Sequence, residues 1–400
     1  MPPIQAFQPK GQVTQPLIRA LQQFGQSVWL DDIQRYTIRS GELHRLVKEE
    51  GIRGVISNLA IFQKAIADST DYDAAFAARA ATPDQDAIGL YEQLVIEDIQ
   101  AAADILKPLY DQFNRQHGYV SLDVSPYLAN DAAPMLIEAR RLWRTINRPN
   151  LMVKVSATAA GIPVIQQLIS EGINVNVTRL FSPATYRQVV EAYLTGLEVF
   201  AAQGGDVSQV ASVASFFISR LDIAVDALIT ARLNAVAGDE DAVALLESLQ
   251  GKVAIANAKL VYQDFVKLCF SDRWRDLAIR GAQPQRLLWS STDTQKSKSR
   301  DVLYIEALIG PDTISTIPPS TFTAFSDHGC LRTSLPEEIE SAETIFASLP
   351  QAEIDLQALA DQLLIQGVQR FQQTFDQLLE AIEQKQKSLK GYDPLSDLSA

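Results

Sequence analysis

Cysteine and histidine are scarce in this 400-residue chain, with two of the first and three of the second. Cys269 and Cys330 are too few for a disulfide framework, and nothing near them has metal-ligand spacing. His44, His117 and His328 stand far apart in sequence. These absences exclude a disulfide scaffold, leave no sequence case for a metal, and make a reducing cytoplasm the simplest location. Positive charge is also in deficit. The 35 Lys and Arg against 48 Asp and Glu leave a formal net charge of −13. That argues against a nucleic-acid-binding surface and against an anionic-membrane partner. No apolar run approaches the roughly 20 residues needed to span a bilayer. The opening "MPPIQAFQPKGQ" lacks the apolar centre of a signal peptide. No Gly-rich fingerprint opens the first strand–helix unit, which disfavours a dinucleotide-binding sheet.

What is present is alternation. Short apolar runs recur between longer helical stretches: Ser27–Asp32, Gly54–Asn58, Tyr119–Ser125, Leu151–Ser156, Ile173–Ser182, Gln209–Phe217 and Arg286–Ser291, with Asp312–Pro318 as a weaker eighth. Eight strands separated by helices predict βαβ units and a parallel sheet. Closing that sheet on itself predicts a single-domain α/β fold, a (β/α)8 TIM-type barrel with extra helices. No internal repeat and no Pro/Gly-rich linker divides the chain. The domain reading is an N-terminal extension over 1–24, the barrel over 25–384 and a polar tail over 385–400.

In such a barrel the active site forms at the carboxyl ends of the strands. Those are the places where this sequence breaks its apolar rule. They carry Asp31 and Asp32, Ser57 and Asn58, Asp123, Lys154 and Ser156, Asn176 and Thr178, Ser215 with Arg220 beyond it, and Ser290 and Ser291. Lys154 stands out, because Leu151, Met152, Val153 and Val155 surround it. Burying an ammonium without a partner is costly. Two readings are open. Desolvation can free the neutral amine to attack a carbonyl and form a Schiff base, with carboxylates to move protons and hydroxyls or amides to orient substrate. Alternatively, Lys154 is a structural lysine whose charge is satisfied by Asp123.

The stretches "GQSVWLDDIQR", "GIRGVISNLAIFQKAI", "VSLDVSP", "KVSATAAGIP", "EGINVNVTRLFS", "VASVASFFISRLD", "GKVAIANAK", "QRLLWSSTDT" and "DVLYIEALIGPDT" resemble transaldolases, in the same order, from about Gly25 to Phe375. The resemblance implies a (β/α)8 barrel that uses no cofactor. Through an imine on a lysine, such an enzyme moves a dihydroxyacetone unit between sugar phosphates of the pentose phosphate pathway. It implies that Lys154 is the Schiff-base lysine and that Asp31 transfers protons during carbon–carbon cleavage. It further implies that Asp123, where the family has Glu, and Thr178 hold the catalytic water. Asn58 and Ser215 then contact substrate, and Arg220 and Ser291 its phosphate.

Several positions depart from the family pattern. Leu59 follows Asn58 where Pro is usual, Asp123 is one methylene shorter than Glu, and Ser156 stands for Pro. Arg179 stands for an apolar residue, and strand alternation points it away from Thr178 toward the helix layer. After the seventh strand, Asp293 and Gln295 replace usual residues, leaving Lys296, Lys298 and Arg300 as candidates to supply the lost cation. The alternatives to a transaldolase are therefore a divergent paralogue with another substrate or Schiff-base reaction, and a non-catalytic sugar-phosphate-binding protein. Trp29 and Trp289 read as core, Cys269 as an inert thiol, and His328 as a residue without an acid–base partner. The Ala-rich stretches 74–81 and 225–237 suit either the core or the interface of a homo-oligomer.

Overall fold

Alternation of side chains along each short run decides the architecture, because on most strands one face is apolar and the other changes character halfway along. In the computed structural model, which describes residues 15–79, 86–236, 238–294 and 300–390, all eight runs are strands. They are β1 (Gln26–Leu30), β2 (Gly54–Ile56), β3 (Tyr119–Asp123), β4 (Leu151–Ser156), β5 (Val175–Leu180), β6 (Ser212–Phe217), β7 (Arg286–Ser290) and β8 (Thr313–Ile317). Neighbours pair in parallel in chain order, and β1 pairs with β8 to close the barrel. The weak eighth run is thus the closing strand.

Val28, Val55, Val120, Val153 and Val177 are buried in the large apolar layer between strands and helices. The inward set at the amino end of the barrel is apolar too: Trp29, Ile56, Tyr119, Met152, Val213, Leu288 and Ile314 form a separate buried cluster. Trp29 fits because β2 begins with glycine. A Cβ on Gly54 would lie 2.6 Å from the Trp29 ring. Two residues further along each strand, on the same face, the inward positions become polar, and Asp123 pairs in register with Lys154. Trp289 lies in the outer layer against Phe216, so both tryptophans are core.

Helices fill the crossovers, among them α1 (Leu59–Asp68), α2 (Ala87–Gln112), α3 (Ala132–Ile146), α4 (Gly161–Ile169), α5 (Pro183–Ala202), α6 (Ile218–Ala235) and α7 (Val253–Cys269). Arg35, just after β1, is 1% exposed and donates to Asp98 of α2 at 2.8 Å, and Tyr72 Oη donates to the other Asp98 oxygen at 2.9 Å. This pair fixes the loop that follows Asp31 to the outer helices. After β8 come α8 (Pro319–His328), α9 (Ile339–Ser348) and α10 (Leu356–Lys390).

Helix α10 has 35 residues, about 52 Å at 1.5 Å per residue. It packs on α1 and α2 and crosses the carboxyl end of the barrel. It also continues through residue 385, where Lys385 pairs with Asp73 at 2.7 Å and donates to the Ser69 carbonyl at 2.9 Å. Residues 391–400 of the polar tail, most of the 1–24 extension, and parts of both Ala-rich stretches lie outside the described residues. Among those described, no helix is long and apolar enough to cross a membrane.

His328 differs from its sequence reading. Its ring lies 2.8 Å from Asp301 and 3.2 Å from Asp327, and these carboxylates hold its pKa above the ordinary value. Asp327 is the preceding residue, whereas Asp301 is 27 positions away and only the fold brings it close. The Cys269 thiol is pushed up to about 11 by burial, which keeps it protonated and unreactive.

Candidate active site

The strand ends open on a cavity of about 230 Å³. That is a little below the roughly 300 Å³ at which drug-sized pockets begin, and it suits a small polar ligand. Asp31, Asn58, Asp123, Lys154, Thr178, Ser215, Arg220 and Ser291 all line it. Two-residue periodicity brings most of them together: Asp31 lies two positions beyond Trp29, Asn58 two beyond Ile56, Lys154 two beyond Met152 and Ser215 two beyond Val213.

Lys154 is neither free nor sealed. Its Nζ donates to Asp123 Oδ2 at 3.1 Å, with side-chain exposures of 13% and 8%. The lysine therefore has the partner that a structural lysine needs, and it still borders the cavity. Asp31 borders the same space. Burial pushes its carboxyl above the usual range, while the Lys154 charge and a hydrogen bond from Asn58 pull the other way. Asn58 does two jobs. Its Nδ2 donates to both Asp31 oxygens at 3.4 Å, and its Oδ1 accepts from Ala60 N at 3.0 Å to cap α1. That cap, of a kind worth about 1 kcal/mol, starts the helix with Leu59 in place of proline.

Beneath these groups Asn176 links β3 to β6. Its Nδ2 donates to Ser121 Oγ at 3.0 Å, and its Oδ1 accepts from Ser215 Oγ at 2.7 Å. Ser215 is therefore oriented from below. Thr178 Oγ1 is buried and makes no hydrogen bond among the described residues. Arg220 lies in the first turn of α6 with its guanidinium 5.3 Å from the Phe217 ring centre, and it forms no ion pair among the described residues. Burial and the charge of Arg370 depress its pKa, and Asp293 and Asp31 oppose them. Ser291 follows β7 with φ of 52°.

The sequence reading of Arg179 is corrected. The β5–β6 register shifts between Val177 and Leu180, and Arg179 has φ of 64°. This irregularity breaks the two-residue rule and turns Arg179 into the cavity beside Thr178. Arg300 also differs from expectation. It pairs with Glu306 at 2.8 Å, so its charge is already committed. Gln295, Lys296 and Lys298 lie outside the described residues. Helix α10 contributes Gly367, Arg370, Phe371 and Thr374 to the wall, which adds a cation to the described lining beside Arg220. No motif marks these four, which are spaced along one helix face like any packed surface.

Comparison with known proteins decides the family. A profile described as transaldolase/fructose-6-phosphate aldolase matches residues 28–382. The chain belongs to the transaldolase/fructose-6-phosphate aldolase family. It is 46% identical over 373 residues to "Transaldolase 2" of Nostoc sp. (strain PCC 7120 / SAG 25.82 / UTEX 2576), covering 92% of this chain and 97% of that one. It is 43% identical over 371 residues to "Transaldolase" of Trichodesmium erythraeum, with the same coverage. To "Transaldolase" of Saccharopolyspora erythraea it is 40% identical over 372 residues, again covering 92% of this chain and 97% of that one. The matches support a transferase enzyme of this family. Asp123, Ser156 and Arg179, which the sequence reading took as departures, fall at one place in space: Arg179 Nη1 donates to Ser156 Oγ at 2.8 Å and lies 3.9 Å from Asp123 Oδ1.

Proposed function

We propose that the chain transfers a dihydroxyacetone unit from a ketose phosphate to an aldose phosphate through an imine at Lys154. The observation that carries this reading is a lysine amine bordering a small polar cavity with one carboxyl bonded to it and a second, harder to ionise, alongside.

Lys154 first yields its proton to water in the cavity, leaving the Asp123 carboxylate 3.1 Å away. Its lone pair then adds to the ketose C2 carbonyl, and loss of water forms the protonated imine. The Asp31 carboxylate takes the C4 hydroxyl proton as the C3–C4 bond breaks. The bonding pair passes into the imine, the aldose leaves, and an enamine stays on Lys154. Burial makes Asp31 a stronger base than a free carboxylate, which suits this transfer. The acceptor aldehyde reverses the step: the enamine carbon attacks, and Asp31 returns the proton to the new hydroxyl. Water then hydrolyses the imine. Thr178 Oγ1, without a partner among the described residues, and Asp123 are the groups assigned to hold that water. Arg220 and Ser291 are assigned to the phosphate, and Asn58 and Ser215 to the hydroxyls.

Borohydride reduction in the presence of fructose 6-phosphate, followed by peptide mass spectrometry, tests the proposal. A reduced adduct on Lys154, absent from Lys154→Met, is expected. Turnover without any adduct, or an adduct on another lysine, refutes it. The Lys154–Asp123 ion pair favours a second reading, a sugar-phosphate-binding protein that performs no chemistry. Saturable fructose 6-phosphate binding with neither adduct nor turnover would select it.

A further inference from the structure

Arg179 is held in a way that core filling does not explain. A non-glycine residue with φ of 64° at the end of a strand occupies a disfavoured region. Observed outliers of this kind are grounds for a functional hypothesis. Here the outlier turns a guanidinium of 9% residue exposure inward. The group is fixed on three sides. Nη1 donates to Ser156 Oγ at 2.8 Å, the planar group lies 4.3 Å from the Phe371 ring centre, and a Cβ on Gly367 would stand 3.4 Å from its Cδ. Phe371 and Gly367 both belong to α10.

Its ion-pair partner among the described residues is Asp123, and Arg220 is a neighbour of like charge. The two oxygens of that carboxylate are divided: Oδ2 accepts from Lys154 at 3.1 Å, and Oδ1 lies 3.9 Å from Arg179 Nη1. The division matters once Lys154 reacts. Before attack the lysine must lose its proton, and a carboxylate of 8% side-chain exposure would then face the cavity with no bonded cation. An uncompensated buried charge is strongly unfavourable. A guanidinium cannot lose its proton in the working range, so it stays charged throughout the reaction.

We infer that Arg179 is a positioning residue that keeps Asp123 charged and correctly placed while Lys154 is neutral or bonded to substrate, and that it ties Asp123 to the C-terminal helix through Phe371. The inference rests on the imine reading given above and deepens it. Other charged or titratable groups facing Asp123 are Asp31 from β1 and Tyr91 from α2, and none of them is a cation. Arg220 and Arg370 border the same cavity without pairing to Asp123.

The experiment compares full-length wild type with Arg179→Met, Arg179→Lys and Ser156→Ala. It measures kcat and KM for fructose 6-phosphate, borohydride trapping at Lys154, and melting temperature. Arg179→Met is expected to lower kcat by about ten- to a hundredfold, up to the smallest usual proton-transfer contribution, with KM changed less than about threefold. Arg179→Lys keeps the charge and is expected to recover a good part of that loss. Ser156→Ala loosens the guanidinium and is expected to lower kcat alone, by about two- to fivefold, an amount set by one hydrogen bond. That variant carries the test if Arg179→Met does not fold. Unchanged kcat in Arg179→Met overturns the inference. So does a raised KM with kcat intact, which would make Arg179 a ligand contact, and so does a lower melting temperature with normal turnover. If the wild type traps no imine, the proposed function fails as well. If it traps and turns over normally while the variants match it, only the role of Arg179 fails.

Discussion

Asp123 sits between two cations, so the two sides of the arrangement should respond unequally to mutation. Lys154 Nζ is 3.1 Å from one carboxylate oxygen and Arg179 Nη1 is 3.9 Å from the other. At an effective dielectric near 20 these separations correspond to gross attractions of about 5 and 4 kcal/mol. Most of that offsets desolvation, so the net effect follows from what each substitution leaves behind. Asp123→Asn leaves two cations of 13% and 10% side-chain exposure without their shared partner. Breaking a buried pair in this way costs about 3–5 kcal/mol. Lys154→Met leaves Asp123 with Arg179 and keeps an apolar stem of similar length, so a change within about 1 kcal/mol is expected. For 400 residues, an unfolding entropy of about 2.1 cal/mol/K per residue gives about 0.8 kcal/mol per degree. Asp123→Asn should therefore melt about 4–6 °C lower than wild type, and Lys154→Met within about 1 °C of it. The double variant should recover part of the Asp123→Asn loss, because one stranded cation is gone. Thermal melts and urea titrations of the three variants at one pH provide the measurement. Equal destabilisation by the two single substitutions, or an Asp123→Asn variant as stable as wild type, would refute the shared-anion reasoning.

Three further expectations concern the scaffold. Asp98→Ala removes the buried one of the two carboxylates that pair with Arg35, leaving Glu97 at 3.1 Å, and should lower stability by about 1–3 kcal/mol, read from urea midpoints. Gly54→Ala places a methyl 2.6 Å from the Trp29 ring and should cost about 1–3 kcal/mol, with a change in near-ultraviolet circular dichroism from the displaced indole. The His117 pKa is lowered to about 3 by burial, helped by Arg286 and Arg53. The unfolded chain binds that proton below about pH 6.5 while the folded chain does not, so stability falls as pH drops from 6.5 toward 3, by at most about 1.4 kcal/mol per pH unit from this group. His117→Gln should flatten the acid limb of a stability profile relative to wild type. An unchanged slope would show that His117 is accessible to protons when folded.

The eight strands and the inward set Asp31, Asn58, Asp123, Lys154 and Thr178 were legible because they obey one local rule. Inward positions repeat every second residue, and the rule holds wherever the strand is regular. Arg179 defeated it. A bulge costs one position of register, and nothing in "NVNVTRLFS" announces a positive φ at an arginine. The α10 wall was hidden for a different reason. Arg370 and Phe371 are more than two hundred residues from Lys154, on a helix whose spacing describes its packing on α1 and α2 and not the barrel mouth. The partnership of Lys154 and Asp123 was foreseen as one of two options. The structure shows that pairing, with Lys154 also bordering the cavity.

Helix α10 also sets a timetable. The 54 positions from Ile317, the end of β8, to Phe371 are made after every strand of the barrel has left the synthesis centre. At about 5–20 residues per second that interval is roughly 3–11 seconds. Through it the nascent barrel holds its lysine with one wall of the cavity unmade and Arg179 without the ring that steadies it. A chain clipped before residue 367 stays in that unfinished state. Helix α10 thus acts as the completion mark of the cavity.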